Sequence, residues 1–212
     1  MKIDLRDRWI LACGRRGCGK TTLSQYLIKK SKHHFKEIFC VSPSAFSGAW
    51  DGVIPSENVQ HNWSEEWLMK LIERMIAKNK GKNQKSEGFL RVLVVLDDCL
   101  SSEAKAHNSK ALKILASRGR HCGISVYCNL HFLTGASPMM RNCADYIVFG
   151  VNNQASIELL HEEFGVGDMN VKEFAAFVRK NTQQFRFLVV DNTAANTDNP
   201  DEVYATIKAP SS

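Results

Sequence analysis

The chain reads as an α/β protein: a single domain with a mostly parallel central sheet covered by helices on both faces. Three observations predict this. Short apolar runs rich in β-branched residues alternate along the chain with amphipathic stretches, the order in which a parallel sheet takes its crossover helices. The run FLRVLVVLDD (89–98) is apolar almost without a break until its two closing carboxylates, as a strand buried on both faces must be. The first apolar run, RWILACG (8–14), passes through a glycine-rich turn straight into a helical pattern.

The elements follow in order. Leu23, Tyr26, Leu27 and Lys30 fall at helical spacing and predict a helix over 21–32. KEIFCVS (36–42) is a second strand, stopped by Pro43, and 44–62 is a long connection carrying Phe46 and Trp50. Ser64 followed by Glu65 and Glu66 opens a helix, because acidic side chains suit the positive helix start. Trp67, Leu68, Leu71, Ile72, Met75 and Ile76 then form its apolar stripe, which reads as core. A polar loop rich in lysine (78–88) leads to the central strand already quoted. A helix over 104–117, strands in GISVYCNLHF and DYIVFGV, helices over 155–164 and 171–180, and a sixth strand in FRFLVVD complete the pattern. The domain is expected over 1–191, with 192–212 a loose polar C-terminal extension.

At 212 residues the length suits one domain. A net charge of +6 leans toward an anionic partner. The seven cysteines are an odd number without a C-x-x-C pair, and several lie inside apolar runs, as in IFCVS and SVYCN. They read as buried free thiols, which argues for a reducing compartment and against a zinc or disulfide framework. The first residues, MKIDLRDRWI, lack the apolar core of a signal peptide, and no apolar run approaches the ~18 residues of a membrane span, so no membrane insertion is expected.

The glycine turn carries the chemistry. CGRRGCGKTT (13–22) matches G-x-x-x-x-G-K-[ST] position by position. In such a loop successive backbone N–H groups cradle a polyphosphate, the lysine reaches its β/γ oxygens, and the threonine hydroxyl ligates Mg²⁺. Gly14, Arg15, Arg16, Gly17, Cys18, Gly19, Lys20, Thr21 and Thr22 are therefore the candidate nucleotide loop of a P-loop NTPase domain. The partner carboxylate for magnesium is Asp97, with Thr21 as the hydroxyl ligand. Asp98, one residue later, is placed to orient or deprotonate the attacking water. ATP and Mg²⁺ are the expected cofactors. No N-K-x-D guanine-reading motif occurs, and Arg118 and Arg120 form no evident lid of the kind a small-molecule kinase would carry.

RGRHCGISVYCNLH (118–131), taken with the P-loop, LDD and SPMMRNCADYIVFG in that order, resembles the FtsK/HerA family of DNA-pumping ATPases, most closely its viral genome-packaging branch. The resemblance spans roughly residues 10–150 and implies a RecA-like domain. It also implies a homo-oligomeric ring that moves double-stranded DNA without sequence specificity into a capsid, working with capsid proteins in the cytoplasm of an infected host cell. On this resemblance Arg120 is the candidate arginine finger and Arg141 a second. The family's polar sensor at the end of the fourth strand falls at His131, with Asn129 two residues earlier. Where the family usually has glutamine, this chain departs. The residues themselves leave other readings open: a basic helix end for Arg118 and Arg120, and a solvated loop for Lys78, Lys80, Lys82 and Lys85, which could instead track a phosphate backbone. A P-loop kinase of a small molecule or nucleic acid, or a nucleotide-dependent assembly switch, is the alternative to a motor.

Overall fold

Five successive apolar side chains, WILAC, need cover on both faces, and Trp9–Cys13 (β1) is buried at every position. The computed structural model describes residues 3–102, 109–194 and 197–210. After β1 come α1 (Lys20–Ser31), β2 (Glu37–Val41), the two-residue β3 (Val59–Gln60), α2 (Glu65–Lys78) and β4 (Val92–Asp97). A single turn, α3 (Cys99–Ser102), follows, then α4 (Lys110–Cys122), β5 (Ile124–Leu130), the short α5 (Pro138–Asn142) and β6 (Tyr146–Phe149). The chain continues through α6 (Gln154–Phe164), α7 (Val171–Asn181), β7 (Arg186–Asp191), α8 (Pro200–Val203) and β8 (Tyr204–Lys208).

Among the described residues these strands form one eight-stranded sheet in the order β3-β2-β4-β5-β1-β6-β7-β8. Every pairing from β3 to β6 is parallel; β6–β7 and β7–β8 are antiparallel. The period of two sorts each strand between the faces. Trp9, Leu11 and Cys13 face a core with α2, α4, α6 and α7, while Ile10 and Ala12 face Leu23, Leu27 and Ile28 of α1 together with Trp50. Each fully buried Leu, Ile or Phe contributes ~1.5–3 kcal/mol relative to exposure, so the two faces together clamp the sheet.

The topology decides where chemistry happens. β1 lies between β5 and β6, and the registers Cys13↔Leu130 and Asp97↔Asn129 bring the C-terminal ends of β1, β5 and β4 side by side. In open α/β sheets ligands bind at such carboxyl ends, where strand order reverses.

Several expectations change. The helix read over 104–117 runs, in the described residues, from Lys110 to Cys122, so Arg118 and Arg120 lie in its final turns; residues 103–108 are outside the described residues. The stripe on α2 is narrower than read: Leu68, Leu71, Ile72 and Met75 are buried, whereas Ile76 is 52% exposed because it falls off the sheet-facing side. β3 was hidden in the connection 44–62, and the loose extension contains α8 and β8. β8 is an edge strand in which only Tyr204 is buried and the following side chains alternate half-buried and exposed, so YATIK never shows the continuous apolar run that marks the central strands. The cysteines are largely as expected: Cys13, Cys18, Cys40, Cys122 and Cys128 are buried and free, Cys99 is buried, and Cys143 is half-buried.

Candidate active site

The loop between β1 and α1 begins on fixed anchors. Gly14 N–H donates to Leu130 O (3.1 Å) and Arg15 N–H to Val151 O (2.9 Å), tying the loop to β5 and to the end of β6. Gly17 (φ 77°) and Gly19 (φ 94°) then take left-handed conformations, which cost a side chain ~1–2 kcal/mol each. Gly19 caps α1 with no side-chain hydrogen bond, and the first turn of α1 holds no acidic residue. The orphan N–H groups and positive dipole end of that turn are thus offered to an anion. Lys20 is only 6% exposed, and its Nζ donates to Gly14 O (2.6 Å) and Arg15 O (3.3 Å). An ammonium has three donors, so two stiffen the loop and one remains for a phosphate oxygen.

The two carboxylates, adjacent in sequence, have different settings. Asp97 closes β4 at 3% exposure. Its Oδ1 accepts from Asn129 Nδ2 (2.8 Å), and its Oδ2 from Trp50 Nε1 (3.1 Å) and Ser42 Oγ (3.3 Å). Ser24 Oγ lies 3.1 Å from Asn129 Oδ1 and 2.8 Å from Lys20 O, which carries the network back to the phosphate loop. A carboxylate has about four acceptor sites; three are taken, leaving room for one metal-bound water. Among the described residues no group of three or more His, Cys, Asp or Glu could hold a metal unaided. The acceptor site left on Asp97 fits Mg²⁺, which is commonly held by one or two carboxylates together with waters and substrate phosphates.

Asp98 is left-handed (φ 55°), and its N–H donates to Asn129 O (3.2 Å), which turns its side chain out of the strand. Its Oδ2 lies 3.4 Å from His131 Nε2, with both side chains about one-third exposed. Burial pushes the Asp98 carboxyl above the ordinary aspartate value; Lys20 pulls it back, Asp97 raises it further, and His131 lowers it.

Arg16, Gly17, Gly19, Lys20, Thr21 and Thr22 line a cavity of about 580 Å³ together with Asp98 and His131. That volume is in the range of small-molecule sites. Of the other loop residues, Gly14 and Cys18 are buried beneath, and Arg15 is exposed. The cavity is completed by Phe185, Lys208, Ala209 and Pro210, none of which the motif reading named. Asn129, the alternative sensor, is wholly buried in the Asp97 network, whereas His131 lines the cavity.

Two of the sequence candidates lie elsewhere. Arg120 is exposed in the last turn of α4, beside the start of β5, while the loop is anchored at Leu130 at its end. Seven residues of strand separate the two ends, a span of about 20 Å at ~3.3 Å per residue. Arg141 is 7% exposed. Its guanidinium donates to both Glu163 oxygens (2.6 and 2.5 Å) and to Ala136 O (2.6 Å), clasping α5 to α6. Lys78, Lys80, Lys82 and Lys85 are all exposed. Their loop is pinned to the Arg120 end by Gln84 Nε2, which donates to Arg120 O (3.0 Å).

The residues that orient Asp97 were not legible. Trp50 stands in a polar connection 47 residues from its partner, and nothing local marks it. Phe185 gives a weak signal, an aromatic residue between glutamine and arginine just ahead of a strand.

The chain is 28% identical over 209 residues to the uncharacterized protein 015R of frog virus 3 (isolate Goorha), covering 98% of this chain and 63% of that protein. This chain thus spans about two-thirds of its relative's length. It is 21% identical to the uncharacterized protein L437 of Acanthamoeba polyphaga mimivirus, across 96% of this chain and 75% of that one. Its fold is similar to that of B204, the DNA-packaging ATPase from Sulfolobus turreted icosahedral virus, at a TM-score of 0.67, 16% identity, and coverage of 98% of this chain and 100% of that one. It is also similar to the pCW3 conjugation coupling protein TcpA, with a TM-score of 0.62 and 15% identity over 99% of this chain and 62% of that chain. The family described as Poxvirus A32 protein matches residues 5–204, and the chain belongs to it.

Proposed function

We propose that the chain is an ATPase motor that moves double-stranded DNA into a viral capsid. One observation carries this reading: the Lys20 loop, Asp98 and His131 line a single cavity at the carboxyl ends of β1, β4 and β5, with Asp97 buried next to Asp98 at the end of β4. The family and the likeness to a DNA-packaging ATPase support the setting.

In this reading the N–H groups of the loop and of the first turn of α1 bind the triphosphate, and Lys20 Nζ turns its free donor to the β/γ oxygens. Mg²⁺, when bound, neutralises phosphate charge; Thr21 and Asp97, the latter through water, are the residues that would hold it. Asp98 takes the proton of the attacking water. Its raised pKa makes it a better base than an ordinary aspartate, at the cost of needing a higher pH to be ionised. His131, beside Asp98 in the cavity, would sense the γ-phosphate.

Arg120 lies at the opposite end of β5 from its own cradle, as a finger that serves a neighbour's could, and this makes a homo-oligomeric ring part of the proposal. A cation supplied to the transferring phosphoryl group is worth ~10³–10⁵ in rate. Arg141 is assigned a structural role. The lysine loop at the Arg120 end is offered to the DNA backbone, and capsid proteins at the assembly site in the host cytoplasm are the expected partners. No helix of the described residues is long and apolar enough to cross a membrane.

The test is phosphate release with and without long duplex DNA. A motor is stimulated by the duplex; a kinase instead requires a small acceptor, and a switch barely turns over. Arg120→Ala and Lys20→Ala proteins, each inactive alone, are then mixed. Partial recovery supports a finger acting between chains, and no recovery in mixed assemblies verified by cross-linking removes it.

A further inference from the structure

The cavity has a second half that the phosphate chemistry does not use. Gln184 (φ 54°) and Phe185 (φ 60°) are consecutive left-handed residues without being glycine, at the entry to β7. Such strain persists where the surroundings hold it and concentrates at ligand sites. Here the fold holds it with the residue that follows β8: Ala209 N–H donates to Phe185 O (2.9 Å). The result is an aromatic side chain 59% exposed to solvent yet laid against the phosphate loop, its Cδ1 3.3 Å from where a Cβ on Gly19 would stand. Around the ring the lining is Lys208, Ala209 and Pro210.

We infer that Phe185 is the platform on which the nucleotide's base stacks, and that the base is held by its face and not read at its edge. The inference rests on the cavity's being a nucleotide site. Among the lining residues the single carboxylate, Asp98, is at the phosphate end beside His131, and there is no asparagine or glutamine. The two threonines lie on α1 in the phosphate half. Guanine's N1–H and amino group thus meet no side-chain acceptor near Phe185, and the Ala209 N–H is already spent on Phe185 O. Stacking discriminates little, because every base has a π-face. The site accordingly takes ATP and GTP alike.

The experiment compares Phe185→Leu with Phe185→Trp, both of which keep the left-handed backbone requirement while removing or restoring the flat ring. Dissociation constants are measured with magnesium for ATP, GTP and inorganic tripolyphosphate, which has phosphates and no base. Phe185→Leu is expected to weaken ATP and GTP by the same factor, about tenfold, and to leave tripolyphosphate unchanged. Phe185→Trp is expected to restore both, with indole fluorescence that responds to nucleotide and not to tripolyphosphate. Unchanged ATP binding by Phe185→Leu overturns the platform. Equal weakening of tripolyphosphate also overturns it, since the ring would then only brace the loop. Unequal effects on ATP and GTP overturn reading by the face. If unmodified protein fails to bind tripolyphosphate at all, the phosphate cradle itself falls and the platform with it.

Discussion

Asp97 and Asp98 share a peptide bond but not a task. Asp97 is locked by Asn129, Trp50 and Ser42 at 3% exposure, whereas the left-handed Asp98 turns its carboxylate to the cavity and His131. Asp98→Asn keeps size and hydrogen bonding and loses the base. Nucleotide binding is expected to persist while hydrolysis falls at least ~10²-fold, measured as phosphate release against equilibrium binding. Trp50→Phe removes one donor from Asp97 Oδ2 while largely filling the same space. Outer-shell groups typically contribute ~10–100-fold to metal affinity or activity. The Mg²⁺ concentration needed for half-maximal nucleotide binding is therefore expected to rise about tenfold; an unchanged Mg²⁺ titration would leave Trp50 a packing residue. The loop and both aspartates were legible because each is a contiguous pattern at a strand end. Trp50 and Ser42 were not: the Trp50 contact forms only when 44–62 folds back toward the end of β4, and the Ser42 contact only when β2 pairs with β4.

At the scale of elements, the arginines show how far a pattern reaches. Both were read as fingers from one segment order, and packing separates them. Arg141 ties α5 to α6 through Glu163, so Arg141→Ala leaves a carboxylate 19% exposed without its partner. Breaking such a pair costs ~3–5 kcal/mol, to be seen as a lower midpoint in urea. Arg120→Ala, on an exposed helix end, is expected to leave that midpoint nearly unmoved. Central strands were legible because burial on both faces forces continuous apolar runs. The two residues of β3 and the half-exposed alternation of β8 lacked that signal, and with β8 went the Phe185 half of the cavity.

For the whole molecule, the parallel sheet puts the cradle at the carboxyl ends of its central strands and Arg120 with the lysine loop at the amino end of β5, about 20 Å away along that strand. A chain built this way has its hydrolytic centre and its proposed finger at opposite ends of the strands, which suits head-to-tail assembly into a ring. The central claim is that ATP turnover in such an assembly moves duplex DNA. Displacement of a labelled third strand from a triplex-ended duplex measures that movement without reference to the product of hydrolysis. The account predicts ATP-dependent release of the third strand by the unmodified protein and none by Lys20→Ala protein. Brisk, duplex-stimulated hydrolysis that leaves the third strand in place would contradict it.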